Sequence, residues 1–346
     1  MSERVLTQRE LNRALLARQR LLERAGVSIP RLVESIGGLQ AQYAPSAYVG
    51  LWSRLDGFER DDLTRALERK SVVQATLMRV TIHIVSKRDF PVLSAGLRDA
   101  RLEWWVKAHR GKPTARQVDA AARKVAKLLA EGPRKRDELV AELGIDASTW
   151  NGAALKLELV RVPPSGTWER RRADLYGLPE PWIGPSDATE AEGLELLVRR
   201  YLGGFGPAAV KDVAGWAGVP PATIAPTIEA MTLRRFRDES GQELVDLRRA
   251  PIPDGDTPAP PRFLPTWDST LLVHQRRTGV LSEEHRPRVF STKTPQSVAT
   301  FMVDGRVVGS WRFERGRILV EPFERLSKAD RRALDHEAEQ LEAFHA

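Results

Sequence analysis

The chain has 346 residues, 42% hydrophobic and 29% charged, the balance of a globular protein of two or three domains. It has no cysteine, which excludes disulfides, thiolate zinc sites and cysteine-held iron–sulfur clusters, and no apolar run approaches the roughly 18 residues that span a bilayer. The formal charge of +8 is unevenly spread: eleven Lys or Arg stand against three acids between Arg101 and Arg136, and "WERRRADLY" (168–176) and "HQRRTG" (274–279) are further basic spots. Such an excess suits either a well-solvated surface or a polyanion such as nucleic acid. The N-terminus lacks the apolar core of a signal peptide, so a cytoplasmic protein, with no membrane partner, is expected.

In chain order, "LTQRELNRALLARQRLL" places Leu11, Leu15, Leu16 and Leu22 at helical spacing. "IPRLVESIGGLQ" starts a helix at Pro30 and runs into Gly37-Gly38. "PSAYVGLWSRL" predicts a helix from Pro45 or Ser46, and "DDLTRALERK" another capped by Asp61 or Asp62. "LMRVTIHIV" (77–85) alternates, which predicts a half-buried strand with Arg79, Thr81 and His83 on its polar face.

An internal repeat follows. "GPRKRDELVAELGIDASTWNGAALKLELVRV" from Gly132 and "GPAAVKDVAGWAGVPPATIAPTIEAMTLRRF" from Gly206 both open with Gly-Pro. Both have a glycine twelve residues on (Gly144, Gly218) and a leucine at offset 27 (Leu159, Leu233). Each reads as helix, glycine turn, helix and strand. Each is followed by a hairpin, around Pro-Ser-Gly in one case and Ser240-Gly241 in the other, and preceded by a further helix. This is the winged-helix plan, and the first 90 residues fit a looser copy. Proline-rich linkers at 177–187 and 250–265 separate the pieces. The C-terminal part predicts a three-stranded meander turning at Asp304-Gly305 and Arg315-Gly316, then an amphipathic helix. The expected fold is α+β and mostly helical. Three tandem winged-helix units occupy residues 1–112, 113–186 and 187–258, and a β-rich region with its closing helix occupies 259–346.

The common catalytic constellations are missing. None of the six histidines has HExxH or other metal-ligand spacing, and there is no GxSxG elbow, Walker A loop or strand-borne GxGxxG. No metal or cofactor is expected. What remains is "GGLQAQYAPSAY" (37–48). Gly37-Gly38 and Pro45 make it a connection between helices, where Gln40 and Gln42 point the same way and Ala41 faces the core. On pattern alone, both amides serve loose backbone groups more readily than they line a cavity. Arg79 and His83 read either as a solvated strand face or as phosphate contacts. Trp104-Trp105 reads as core plus one partly exposed ring.

Five stretches carry a resemblance: "IGGLQAQYAPSAYVGLWSRL", "TLMRVTIHIV", "FLPTWDSTLLVHQRR", "EEHRPRVF" and "FMVDGRVVGSWR". Taken together they resemble the winged-helix DNA glycosylases of the AlkZ and YcaQ type, over nearly the whole chain. The resemblance implies a C-shaped monomer around a basic channel for double-stranded DNA, and excision of bulky N-alkylated purines, including those in interstrand crosslinks. It implies that Gln40 and Gln42 are the catalytic Gln-x-Gln pair; YcaQ-like members carry aspartate at the second position. Arg79, His83, Lys87, Arg276, Arg277 and Arg306 become the candidate DNA contacts, and a lesion-engaging hairpin falls near Asp304-Gly305. A nucleoid-associated repair enzyme in the cytoplasm follows.

The chemistry is consistent with that expectation. A glutamine amide has no pKa that lets it act as a base near neutrality, but it can hold a water, and its carbonyl dipole can face a developing oxocarbenium ion. Such weak help suffices when N7- or N3-alkylation makes the purine a cationic leaving group. With no assigned lysine nucleophile, a monofunctional hydrolase is expected rather than a lyase. The alternative is a non-catalytic winged-helix protein, a regulator or chromatin-associated factor, reading DNA through helices at 147–158 and 220–231. "PATIAPTIEAM" offers no Arg, Lys, Asn or Gln for that, and "DASTWNGAALKLE" only Asn151 and Lys156. Winged helices used only as protein-interaction modules are a third reading.

Overall fold

The computed structural model describes residues 4–272, 278–290 and 297–346. The chain opens with β1 (Val5–Leu6) and α1 (Gln8–Arg18). Thr7 caps α1 by accepting from Glu10 N, and the Glu10 carboxylate accepts from Thr7 N in return, so two orphan donors are satisfied at once.

Three successive stretches then use one connection plan. The first runs α2 (Ile29–Ser35), β2 (Leu39–Gln40), α3 (Ala44–Trp52), α4 (Arg60–Glu68), β3 (Val72–Thr76) and β4 (Ile82–Ser86). After the long α5 (Asp89–Ala108), the second runs α6 (Ala115–Leu129), β5 (Arg134–Lys135), α7 (Arg136–Leu143), α8 (Ala147–Lys156), β6 (Val160–Arg161) and β7 (Leu175–Gly177). A short α9 (Pro179–Ile183) leads to the third: α10 (Glu190–Phe205), a single bridging residue Ala208, α11 (Val210–Ala217), α12 (Pro221–Ala230), β8 (Leu233–Asp238) and β9 (Glu243–Leu247). In every copy the last strand is the central one. β4 lies between β2 and β3, β7 between β5 and β6, and β9 between Ala208 and β8, all antiparallel. The repeat glycines have a local cause: Gly144 and Gly218 end α7 and α11 in the left-handed conformation, which glycine adopts without steric penalty.

The copies are not independent beads. β3 also pairs β6, so the first two stretches share one six-stranded sheet ordered β2-β4-β3-β6-β7-β5. One core joins Leu15, Val73 and Phe90 to Leu197, Tyr201 and Trp216 of the third stretch. The C-terminal part forms a four-stranded antiparallel sheet from β10 (Arg262–Leu264), β11 (Thr300–Val303), β12 (Arg306–Glu314) and β13 (Arg317–Pro322). A short α13 (Arg286–Val289) precedes β11, and α14 (Lys328–His345) closes the chain. The two expected turns connect β11–β12 and β12–β13. Asp304, Gly305, Arg315 and Gly316 all have positive φ, as two-residue hairpin turns require. This sheet packs on the first stretch through Phe263, Phe301 and Trp311 against Leu32, Tyr48 and Leu51.

Four details depart from the sequence reading. Glu59, not Asp61 or Asp62, is the N-cap residue of α4, and Asp62 sits at the third helical position, where its carboxylate accepts from Glu59 N. Residues 77–85 are not one strand: β3 ends at Thr76, a 3-10 turn spans Met78–Val80, and β4 starts at Ile82. The hairpin of the second copy is mostly irregular, because only Leu175–Gly177 of "WERRRADLY" and its neighbours pair as a strand. The proline-rich 177–187 linker contains the one-turn helix α9.

Candidate active site

Gly37 and Gly38, with φ of 78° and 80°, end the α2 turn and swing the chain into β2. Leu39 then pairs with Ile84 and Gln40 with His83 on β4. Ala41 donates its N–H to the Ile82 carbonyl at 2.8 Å. There the ladder stops being purely backbone. The Ile82 N–H is taken by the Gln42 side chain, whose Oε1 accepts at 2.6 Å. Gln40 Oε1 accepts from Arg79 Nη2 at 2.7 Å.

Both partners are donors only, and this fixes the amides. Each glutamine must present its oxygen, not its nitrogen, to the group it meets. Each Oε1 keeps a second lone pair, and neither Nε2 has a protein partner among the described residues. The two side chains differ in access: Gln40 is only 5% exposed, whereas Gln42 lies at the surface. Of the two readings left open, the backbone one holds for Gln42, which serves the Ile82 N–H, while the buried Gln40 meets Arg79. Gln40 is buried and Gln42 exposed, with the buried Ala41 between them.

His83 is also corrected as a phosphate contact. It is fully buried, because the sheet is covered on both faces here: its partners Gln40 and Ala75 are buried, and so are Leu39, Gln74 and Ile84 at the alternate positions. Burial, with the Arg79 cation adding to it, pushes its pKa down to about 3, so the ring is neutral at physiological pH. Its Nδ1 lies 3.0 Å from the Thr81 carbonyl and carries the proton there; the buried Nε2 has no hydrogen-bond partner among the described residues.

Arg79 sits in the 3-10 turn with φ 53° and ψ 23°, followed by Val80 at φ 56°. Its side chain is half-buried and reaches Gln40 on one side and the Trp216 carbonyl on the other, from Nη1 at 2.9 Å. Lys87, just past β4, and Arg306, at the start of β12, are exposed. Arg276 and Arg277 lie outside the described residues. The Asp304-Gly305 turn is docked on α1: Asp304 pairs with Arg13 and, at 3.0 Å, with Arg9, and Gly305 O accepts from Asn12 Nδ2 at 2.8 Å. The Arg315-Gly316 tip of the next hairpin is exposed.

One neighbour of the site was invisible in the sequence. The loop between β6 and β7 brings the exposed Arg171 to Tyr43, beside Gln42, with Nη1 donating to the phenol oxygen at 3.1 Å. Trp168 of the same loop packs edge-on against Tyr48 of α3, 5.5 Å between ring centres. The basic run "WERRR" signals charge, but nothing local says where it lands. Among the described residues, no group of three or more His, Asp or Glu is placed to hold a metal ion, and no helix is long and apolar enough to cross a membrane.

A family model described as "DNA glycosylase AlkZ-like" matches residues 33–344. The chain belongs to the AlkZ-like DNA glycosylase family. It is similar to an interstrand DNA cross-link repair glycosylase of Streptomyces sahachiroi, 27% identical over 93% of this chain and 92% of that protein. Its fold matches the solved structure of the Streptomyces sahachiroi DNA glycosylase AlkZ with a TM-score of 0.83, covering 99% of this chain and 98% of the other at 22% identity. The resemblance seen in the five sequence stretches is thereby borne out at the level of family and mixed α+β fold.

Proposed function

We propose that this DNA glycosylase hydrolyses the N-glycosidic bond of bulky N7- or N3-alkylated purines in duplex DNA, and unhooks interstrand crosslinks built on such purines. Gln40 and Gln42 hold the water that attacks C1′. The bond from C1′ to the purine nitrogen breaks, and its electron pair neutralises the cationic ring. The alkylpurine leaves, an abasic site remains, and the water's second proton passes to solvent. The observation that carries this reading is the fixed orientation of the two amides, whose oxygens are held by Arg79 and by the Ile82 N–H. An attacking water must donate its hydrogens and keep an oxygen lone pair for carbon, so it needs acceptors beside it. The second lone pairs of the two Oε1 atoms are such acceptors.

The recurring helix–strand–helix–helix–hairpin order supports reading residues 1–112, 113–186 and 187–258 as winged-helix units around DNA, acting as a monomer without lyase chemistry. The exposed Lys87, Arg171 and Arg306 are the phosphate contacts we favour. A base-reading regulator is disfavoured, since α12 has no Arg, Lys, Asn or Gln and Lys156 of α8 is paired with Asp119 at 2.5 Å.

The test is base release from duplexes carrying N7-methylguanine or a bulkier N7 adduct, scored as abasic sites. Wild type should release base, and Gln40→Ala/Gln42→Ala should not. No release by wild type from any N-alkylpurine, or equal release by the double variant, would overturn the assignment.

A further inference from the structure

The turn carrying Arg79 is strained. Two consecutive non-glycine residues, Arg79 and the β-branched Val80, have φ of 53° and 56°, a region that L residues rarely adopt. Such strain persists only where the surroundings over-determine it. Here the surroundings come from the third winged-helix-like stretch. Gly218, ending α11, lies so close that a Cβ there would meet Arg79 N at 2.8 Å and Arg79 Cα at 2.9 Å. The carbonyl of Trp216, two residues earlier, accepts from the Arg79 guanidinium. The same platform also supports the other side of the glutamine segment. A Cβ on Gly37 would lie 2.9 Å from the Phe205 ring and 3.5 Å from the Trp216 ring. Gln19 Nε2 bridges Ile36 O and Gly204 O at 3.1 and 2.8 Å.

From this we infer that Arg79 is a positioning residue for Gln40, and that the α11 end of the third stretch, through the Trp216 carbonyl and Gly218, sets where Arg79 stands. The inference rests on the role proposed above for Gln40. Without Arg79, nothing else described fixes which end of the Gln40 amide faces outward. A guanidinium on Oε1 does so, because it can only donate. The site is thus shared between two units: the first supplies Gln40 and Gln42, and the third holds the first one's arginine. Packing glycine against the Arg79 backbone is the element of this arrangement that a side chain would break.

A plain phosphate contact at Arg79 makes a different prediction, so the two can be separated. With wild type, Arg79→Met, Arg79→Lys and Gly218→Ala, single-turnover excision is measured at saturating enzyme, and affinity for the same lesion duplex by anisotropy. Positioning predicts that Arg79→Met and Gly218→Ala lose about 10- to 100-fold in rate while affinity changes little, and that Arg79→Lys regains part of the rate. Loss of affinity with the saturated rate intact would overturn it in favour of a phosphate contact. A second readout needs no activity. In the 15N-labelled protein, the Gln40 side-chain amide resonances, assigned by their loss in Gln40→Ala, should shift in both Arg79→Met and Gly218→Ala. Unmoved Gln40 resonances would sink the inference even for folded, active variants. If wild type excises nothing, the enzymatic proposal fails, and the resonance arm still decides whether Arg79 orients Gln40.

Discussion

Gln42 Oε1 takes the N–H of Ile82 at 2.6 Å, so a side chain fills the acceptor place that the backbone of a continuing strand would fill. The bond could be structural, a cap on the β2–β4 ladder, with no bearing on chemistry. Truncation separates the two roles. Gln42 is exposed, so water can replace it at Ile82 and Gln42→Ala should cost about 1 kcal/mol or less in urea unfolding. If the second lone pair holds the attacking water, the same change should lower the single-turnover rate by about 10²-fold. Gln42→Glu keeps an acceptor for Ile82 and adds negative charge near a developing cation, so it should retain activity where Gln42→Met does not. Equal activity of wild type and Gln42→Met would remove Gln42 from the mechanism.

His83 makes stability depend on pH. Its folded pKa is depressed to about 3, below the ordinary value of 6.5, so the folded state keeps it neutral while the unfolded chain takes up a proton. Stability from this group is complete above pH 6.5 and is lost as pH falls from 6.5 toward 3, at up to about 1.4 kcal/mol per unit. By pH 5 the loss is roughly 2 kcal/mol. His345, also depressed by burial, adds to the same trend in every variant. Urea melts at pH 7 and pH 5 should therefore show a larger drop for wild type than for His83→Gln. Parallel drops would mean that the ring is solvated or protonated in the fold.

The parts of this fold that were legible are those with local causes. Gly144 and Gly218 marked two helix ends because a left-handed cap wants glycine, and Asp304-Gly305 and Arg315-Gly316 marked the hairpins for the same reason. Gly37-Gly38 likewise announced the break that frees Gln40 and Gln42 from a helix. The failure at 77–85 has an equally definite cause. "LMRVTIHIV" alternates, yet the chain leaves the strand at Arg79, where it meets Gly218 and Trp216, over 130 residues away in sequence. Periodicity cannot see such a contact, nor that β4 is covered on both faces, which buries His83 along with Ile84 and Val85. The pairing of Arg171 with Tyr43 was hidden for the same reason: it joins two stretches 128 residues apart.

A buried ion pair locks α1 to the third stretch. Arg18 and Asp246 are both fully buried and meet in two bonds of 2.8 and 3.0 Å, and Arg18 further donates to Leu202 O at 2.8 Å. Arg234 shares the same carboxylate at 2.7 Å. Asp246→Ala would leave two guanidinium groups without their anion, one of them buried, so it should destabilise the protein by about 3 to 5 kcal/mol in denaturant unfolding. Removing the aspartate together with Arg18, as Arg18→Met/Asp246→Leu, should cost less than Asp246→Ala alone, because no fully buried charge is then stranded. If the double change is as damaging as the single one, the pair is holding the fold by shape and not by charge.

Arg171 offers the sharpest test of where DNA runs. It is exposed, its hydrogen bond goes to the neutral Tyr43 phenol and its guanidinium lies 5.9 Å over the Trp168 ring, and it stands on a loop of the second stretch against Tyr43, the residue after Gln42. A phosphate passing Tyr43 would find it there. Each cation that neutralises a phosphate contributes about 0.9 to the slope of log affinity against log salt on B-form DNA. Arg171→Gln should therefore flatten that slope by nearly one unit while leaving the saturated excision rate within about two-fold, since the residue does not touch either glutamine oxygen. Arg172 is the built-in comparison, because it is already paired with Asp137 at 2.8 Å and with Asp174 at 3.1 Å, so Arg172→Gln should change the slope less. Equal effects of the two substitutions would mean that the loop acts as a diffuse basic surface, whereas an effect of Arg171 alone would place the phosphate path at Tyr43, next to Gln42.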